Sequence, residues 1–309
     1  MMSEPAQAVV DAFRPVNEEL EAELEVVEGE VPREIRGVLY RNGVGRLEVY
    51  GTPQMHPFDG DGMVSRFRVA EGRVTYRNRY VRTREFEEEA RSQRMLYRGF
   101  GTNLPGGFAR NALRMRFKNA ANTSVILHGG RLLALWEAGV PHALDPESLR
   151  TIGRFDYDGA LRNHDWATRW INDELPFSAH PKVDPETGEL WNFGLQIGHR
   201  TKLQIYRVNA HGVLSERRTI TLDEPCFMHD FVITREYAVF FASPVKFDVA
   251  RALSGISTPV EAIRRNPGRA TEVLVVPRDG GEARRFQAPE GFFCFHFFDA
   301  FSRDGSIVV

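Results

Sequence analysis

The 309 residues carry 42% hydrophobic and 27% charged side chains with a formal net charge of −2. The chain can therefore bury a large core, and it lacks the basic excess of a nucleic-acid binder. No apolar run approaches the roughly 18–20 residues of a membrane span, and the opening Met-Met-Ser-Glu-Pro-Ala-Gln has neither the basic nor the apolar region of a secretory signal. Cytoplasmic residence is the expectation, and Cys226 and Cys294, both in apolar runs, read as buried free thiols.

The first 30 residues, acidic from 16 onward, read as a helix or linker ahead of Pro32. From Gly37 the text turns to short strands punctuated by turns. Hairpins are predicted at His128-Gly-Gly-Arg131, at Asp184-Pro-Glu-Thr-Gly188 and at Arg303-Asp-Gly305, each joined to a β-rich run. Asp-Pro-Glu-Ser/Thr occurs at 145–148 and again 39 residues later at 184–187, a separation close to the length of one propeller blade. Helical character is confined to about 108–118 and 246–265, where the strand rhythm breaks. The expectation is a single all-β domain over 1–309, propeller-like, with a sandwich as the competing architecture.

Three histidines stand out: His180 in Phe-Ser-Ala-His-Pro-Lys, His229 in Cys-Phe-Met-His-Asp-Phe and His296 in Phe-Cys-Phe-His-Phe-Phe-Asp-Ala-Phe. Their spacings of 49 and 67 residues are too long for a local metal finger and suit a site where separate strands converge. Neutral imidazole is the commonest metal ligand, and a ring buried unpaired in an apolar run is costly unless something coordinates it. His56, His128, His142, His164, His199 and His211 read as ordinary polar residues; His128 and His211 precede glycine in turns, and His142 and His164 neighbour proline and aspartate in loops.

Longer phrases are similar to those of the carotenoid cleavage oxygenase family. Leu-Tyr-Arg-Asn-Gly at 39–43 and His-Pro-Phe-Asp-Gly-Asp-Gly-Met-Val at 56–64 open the resemblance. It continues through Leu-Leu-Ala-Leu-Trp-Glu-Ala-Gly at 132–139, Pro-His-Ala-Leu-Asp-Pro-Glu-Ser-Leu at 141–149 and Phe-Ser-Ala-His-Pro-Lys-Val-Asp-Pro-Glu-Thr-Gly-Glu-Leu at 177–190. Phe-Met-His-Asp-Phe-Val-Ile-Thr at 227–234 and Phe-His-Phe-Phe-Asp-Ala-Phe at 295–301 close it. Within the family, Leu-Pro-Gly-Gly-Phe at 104–108 and the wording around Trp136 look most similar to bacterial apocarotenoid oxygenases.

The resemblance implies a seven-bladed β-propeller with one non-haem Fe(II) held by four histidines, and it maps His180, His229 and His296 onto three of them. Glu137 maps onto a family glutamate that takes a hydrogen bond from a ligand, here His229, and so offsets metal charge without occupying the coordination sphere. The implied reaction is cleavage of a conjugated carbon–carbon double bond of a carotenoid or apocarotenoid by dioxygen, giving two carbonyl products. The implied partners are an apolar polyene, dioxygen and a membrane surface. Residues 105–118 mix apolar and cationic side chains as an interfacial segment does, although an amphipathic core helix reads the same way.

The chain departs from the family pattern at Val44, where proline is usual, in what reads as a turn, and at Asp299, where asparagine is usual. The family's fourth histidine and its remaining glutamates have no counterpart before Val309, so the expectation is a propeller incomplete at its C-terminus. The alternatives are a stilbene-cleaving enzyme of the same family, a three-histidine zinc hydrolase with water at the fourth position, and a non-catalytic binder of apolar polyenes.

Overall fold

The computed structural model describes residues 15–114, 116–166, 169, 172–196, 200–223 and 225–309, leaving out the side chain of Val249. The first 14 residues of the acidic segment and His199 lie outside the described residues. The chain clusters into two compact units: Met1–Trp136 with Val140–Asp156 and Leu253–Val260, and Glu137–Gly139 with Tyr157–Ala252 and Glu261–Val309.

The first unit contains strands β1 (Glu21–Leu24), β2 (Gly37–Arg46), the small hairpin β3 (Glu48–Val49) and β4 (Thr52–Pro53), β5 (Asp61–Ala70) and β6 (Arg73–Tyr80). It continues with β7 (Ser124–His128), β8 (Arg131–Leu135), β9 (His142–Leu144) and β10 (Thr151–Arg154). Two antiparallel four-stranded sheets result, ordered β1-β6-β5-β2 and β10-β9-β8-β7. Their core is Val64, Val81, Leu132, Ala134, Leu144 and Leu149.

Within the acidic stretch, where a helix or linker is expected, Glu21–Leu24 forms an edge strand, and the described residues on either side, 15–20 and 25–30, are in neither helix nor strand. In a helix Glu19 would face Glu23, and Glu21 would face Glu25, at like-charge spacing. As β1 the segment instead meets the basic strand β6, and Glu21 pairs with Arg77 and, at 3.7 Å, with Arg79. The described residues of 108–118 likewise hold one helical turn, Phe108–Asn111. Leu113 has φ of 60°, and the Arg98 guanidinium takes the carbonyls of Asn111 and Arg114 that a longer helix would use internally. Val44 sits within β2 beside a bulge in its pairing with β5, not in a turn.

The second unit begins with β11 (Lys182–Val183), β12 (Leu190–Gln196), β13 (Lys202–Val208) and β14 (Leu214–Thr221). These form an antiparallel meander in that order. Then come β15 (Cys226–Phe227), β16 (Val232–Ile233), β17 (Tyr237–Phe247), β18 (Ile263–Arg265), β19 (Glu272–Pro277) and β20 (Arg284–Gln287). The order β15-β17-β19-β20 forms the main sheet, with β16 and β18 also on β17. A last hairpin joins β21 (Phe301–Arg303) and β22 (Ser306–Val308). Burial follows position in the sheet. Central β12 and β13 are buried almost throughout, polar Asn192, Gln196 and Gln204 included, whereas edge strand β14 alternates. The core gathers Trp191, Phe193, Leu203, Phe231, Phe240 and Leu274. Phe231 and Phe240 stack at 5.1 Å, with Phe193 edge-on to both.

All three predicted hairpins form. Gly129 and Gly130 both have positive φ (55° and 74°), as the two-residue turn between β7 and β8 requires. The two Asp-Pro-Glu-Ser/Thr phrases are both turns closed by the aspartate side chain. They occupy different places, between the last two strands of one sheet and the first two of another. The 39-residue separation is therefore shared turn chemistry and not a blade period. Of residues 246–265, Val249–Ser254 and Pro259–Ala262 are helical, while β17 and β18 claim the ends. Both cysteines are free and half-buried.

Candidate metal centre

His180 is delivered by a segment clamped onto β12. Phe177 and Ala179 are fully buried, and Phe177 stacks on Tyr206 at 5.4 Å. Ser178 Oγ donates to Asn192 Oδ1 at 2.6 Å, and Asn192 Nδ2 returns a bond to the Ser178 carbonyl at 2.8 Å. The Tyr206 hydroxyl donates to the Pro176 carbonyl at 2.9 Å. This approach needs a glycine: a Cβ on Gly194 would sit 1.8 Å from the Pro176 oxygen.

His229 follows β15, between the buried anchors Met228 and Phe231. His296 lies in the irregular stretch between β20 and β21, held through Phe297, which stacks on Phe241 at 4.8 Å. The sequence leads one to expect His296 buried; its side chain is instead 60% exposed. Among the described residues no strand pairs with this stretch, and Phe292, Phe293, Phe295 and Phe298 are exposed with it.

The three predicted histidines converge. One ring nitrogen from each lies within 4.8 Å of the others, and the Nε2 atoms of His180 and His229 are 2.9 Å apart. Two imidazole nitrogens about 2.1 Å from a shared ion stand about 3 Å apart when their bonds meet at a right angle, and about 3.4 Å apart at a tetrahedral angle. Glu137, in the turn after β8, faces the cluster, its Oε2 3.1 Å from His229 Nδ1. A carboxylate accepts, so the proton resides on Nδ1 and the lone pair of Nε2 points to the cluster. The other carboxylate oxygen, Oε1, is buried without a hydrogen bond.

The two inner rings are held in different electrostatic environments. Burial, then the proximity of His229, pushes the His180 pKa down to about 4, so this ring is a neutral donor at pH 7. Burial acts in the same direction on His229, but the Glu137 hydrogen bond and charge, aided by Asp230, outweigh it and raise its pKa. Imidazoles backed by a carboxylate form a donor set suited to first-row transition metals.

An aromatic cleft of about 450 Å³ adjoins the cluster, with His296 on its wall beside Phe241, Phe292, Phe297 and Phe298. Asp299 also lines it. The side chain is exposed and accepts from the Ala300 amide at 2.8 Å, so it is a loop cap and not a buried charge behind a ligand.

The remaining described histidines lie outside the cluster. His56 accepts from the Phe58 amide at 3.2 Å, and His164 and His211 are exposed. His142, expected in a loop, opens β9 and is buried with neither ring nitrogen hydrogen-bonded.

Residue-by-residue reading of the sequence missed Asp230 and Lys182. Asp230 is 2% exposed and accepts from the Phe297 amide at 3.1 Å, and Lys182 Nζ reaches its Oδ1 at 2.7 Å. A charged residue directly after His229 in an apolar run was the available signal, because a buried carboxylate needs partners.

A family model, retinal pigment epithelial membrane protein, matches residues 13–309. The apocarotenoid-15,15'-oxygenase of Synechocystis is 38% identical over 294 residues, which cover 93% of this chain and 58% of that protein. The resveratrol cleavage oxygenase 1 of Aspergillus fumigatus is 34% identical over 300 residues (93% and 55%). The isoeugenol monooxygenase of Pseudomonas nitroreducens is 34% identical over 289 residues (92% and 56%). The crystal structure of cobalt-substituted Synechocystis apocarotenoid oxygenase superposes with a TM-score of 0.89 at 36% identity, covering 97% of this chain and 62% of the other. The all-β fold is thus that of the apocarotenoid oxygenases, and the chain spans a little over half the length of the relatives it matches.

Proposed function

The chain belongs to the retinal pigment epithelial membrane protein family, the carotenoid cleavage oxygenases, and from that premise we propose that it carries three histidine ligands of a non-haem iron(II) oxygenase. The reaction is cleavage of a conjugated carbon–carbon double bond of an apocarotenoid or carotenoid, one atom of dioxygen going to each carbonyl product. One observation carries this reading: His180 Nε2 and His229 Nε2 face each other at 2.9 Å while Glu137 takes the proton side of His229.

Bound iron(II) would supply the binding and activation of dioxygen. The chain's residues do the rest. His180, His229 and His296 would hold the metal, and Glu137 keeps His229 in the tautomer that offers Nε2. The Phe241, Phe292, Phe297 and Phe298 cleft offers an apolar wall against which a polyene lies beside His296. No side chain is needed as acid or base.

For the approach to a membrane, we assign the exposed Phe108 and Leu113 with the neighbouring Ile256, rimmed by Arg110 and Arg114. No helix among the described residues is long and apolar enough to cross a bilayer.

The similarity to a resveratrol cleavage oxygenase and an isoeugenol monooxygenase favours one second reading, a phenolic substrate with a conjugated side chain. The experiment is aerobic incubation of the iron-loaded protein with an apocarotenal or with resveratrol, reading dioxygen uptake and aldehydes by mass spectrometry. Uptake matched by two aldehydes from the apocarotenal is expected; aldehydes from resveratrol alone move the assignment to phenolics. Activity with zinc and without dioxygen would point to a hydrolase, and tight polyene binding without turnover to a carrier.

A further inference from the structure

The three histidine-bearing segments meet at one buried carboxylate outside the histidine cluster. Asp230 follows His229 directly. Its Oδ1 receives Lys182 Nζ at 2.7 Å, and Lys182 lies two residues beyond His180. Its Oδ2 accepts the amide of Phe297, the residue after His296, at 3.1 Å, and stands 3.7 Å from His296 Nδ1. The same side chain also accepts its neighbour's amide, Phe231, at 2.8 Å. Asp230 is 2% exposed, whereas Lys182 keeps about a quarter of its side chain in solvent.

His180 and His229 have other anchors: the Ser178–Asn192 clamp holds one, and the Phe231–Phe240 stack holds the other. His296 sits in unpaired chain and depends on Phe297.

We propose that Asp230, held in place by Lys182, is a positioning residue that sets the His296 segment against His180 and His229. The proposal rests on the metal-centre reading above and adds a residue through which the three ligand segments are aligned. The carboxylate works at one remove. It orients the segments, and its charge lies beside a site that takes a dication.

Charge and position make opposite forecasts for Lys182. If only charge mattered, Lys182→Met would remove a cation near the site and tighten metal binding. If Lys182 fixes the carboxylate, Lys182→Met frees Asp230 to swing, and binding weakens.

The test titrates the whole 309-residue chain with cobalt(II), following visible absorption, for wild type, Asp230→Asn, Lys182→Met and, as a control, Arg207→Gln. The control opens the pair of Arg207, on β13, with Glu189; among the described residues the ion pairs of Arg207 are with Glu189 and Glu216 and involve neither Asp230 nor Lys182. Thermal melting of each apoprotein monitors the fold. We expect Asp230→Asn to weaken cobalt binding roughly 10–100-fold. Lys182→Met should weaken it about 3–10-fold with an altered spectrum, a smaller loss because the carboxylate remains. Arg207→Gln should bind as wild type. Tighter or unchanged binding by Lys182→Met overturns the proposal, as does wild-type binding by Asp230→Asn. If wild type itself takes up no cobalt, the metal-centre reading falls, and the proposal with it.

Discussion

Glu137 and His229 stand 92 residues apart in the chain, yet the carboxylate Oε2 lies 3.1 Å from the imidazole Nδ1. This contact chooses the tautomer. With the proton on Nδ1, the Nε2 lone pair faces His180 Nε2 at 2.9 Å, the contact on which the proposed metal site rests.

Glu137→Gln keeps the size of the side chain but removes the charge and the strict acceptor. Metal affinity should fall roughly 10–100-fold, with little change in melting temperature because Glu137 is partly exposed. Isothermal titration with cobalt(II) measures this; undiminished affinity would remove Glu137 from the site.

Gly194→Ala places a methyl group against the Pro176 carbonyl. Overpacking of this kind costs about 1–3 kcal/mol, and here it also pushes the segment that delivers His180. Urea unfolding and cobalt titration should therefore both worsen. A loss of stability with intact metal binding would show that His180 is positioned independently of this contact.

Lys118 is buried between two carboxylates, with Nζ 2.6 Å from both Asp61 and Glu89. Lys118→Met takes the cation from buried Glu89 and leaves Asp61 with Arg46 as its cationic partner, and removing one partner of such a network costs about 3–5 kcal/mol. Denaturant melts would give this directly. A change under about 1 kcal/mol would mean that water replaces the ammonium.

Burial, with Arg154 nearby, pushes the His142 pKa from 6.5 down to about 4. The unfolded chain then binds a proton below about pH 6.5 that the folded chain refuses until about pH 4. Stability is complete above pH 6.5 and falls as pH drops toward 4, by on the order of 3 kcal/mol. His142→Leu should flatten this slope between pH 7.5 and 5. Equal slopes in the two proteins would refute the assignment.

Exposed Phe108, Leu113 and Ile256 form the surface assigned to bilayer contact. Replacing all three by serine should lower co-sedimentation with phosphatidylcholine vesicles roughly 10-fold or more, since each apolar side chain contributes over 1 kcal/mol when buried. Unaltered sedimentation would place the contact elsewhere.

Much of the fold was legible because its signals are local. The Gly129-Gly130 turn, the Asp184 turn and the Asp304-Gly305 turn lie next to the strands they join, and turn chemistry needs only neighbouring residues. Local pattern failed where distant charge or distant carbonyls decided the outcome. Glu21 became a strand residue because Arg77 and Arg79 pair with it from β6. The chain after Asn111 left the helix because Arg98 takes its carbonyls.

The site divides in the same way. His180, His229 and His296, with Glu137, could be named as candidates from the words around them, because imidazole type and flanking motif are properties of short segments. Their convergence within 4.8 Å, the exposure of His296 and the linkage of all three segments through Asp230 and Lys182 were decided only by the tertiary structure. A side chain's partners across 49 to 92 residues depend on how sheets pack and where unpaired chain crosses them. Neither is written in the period of any single strand.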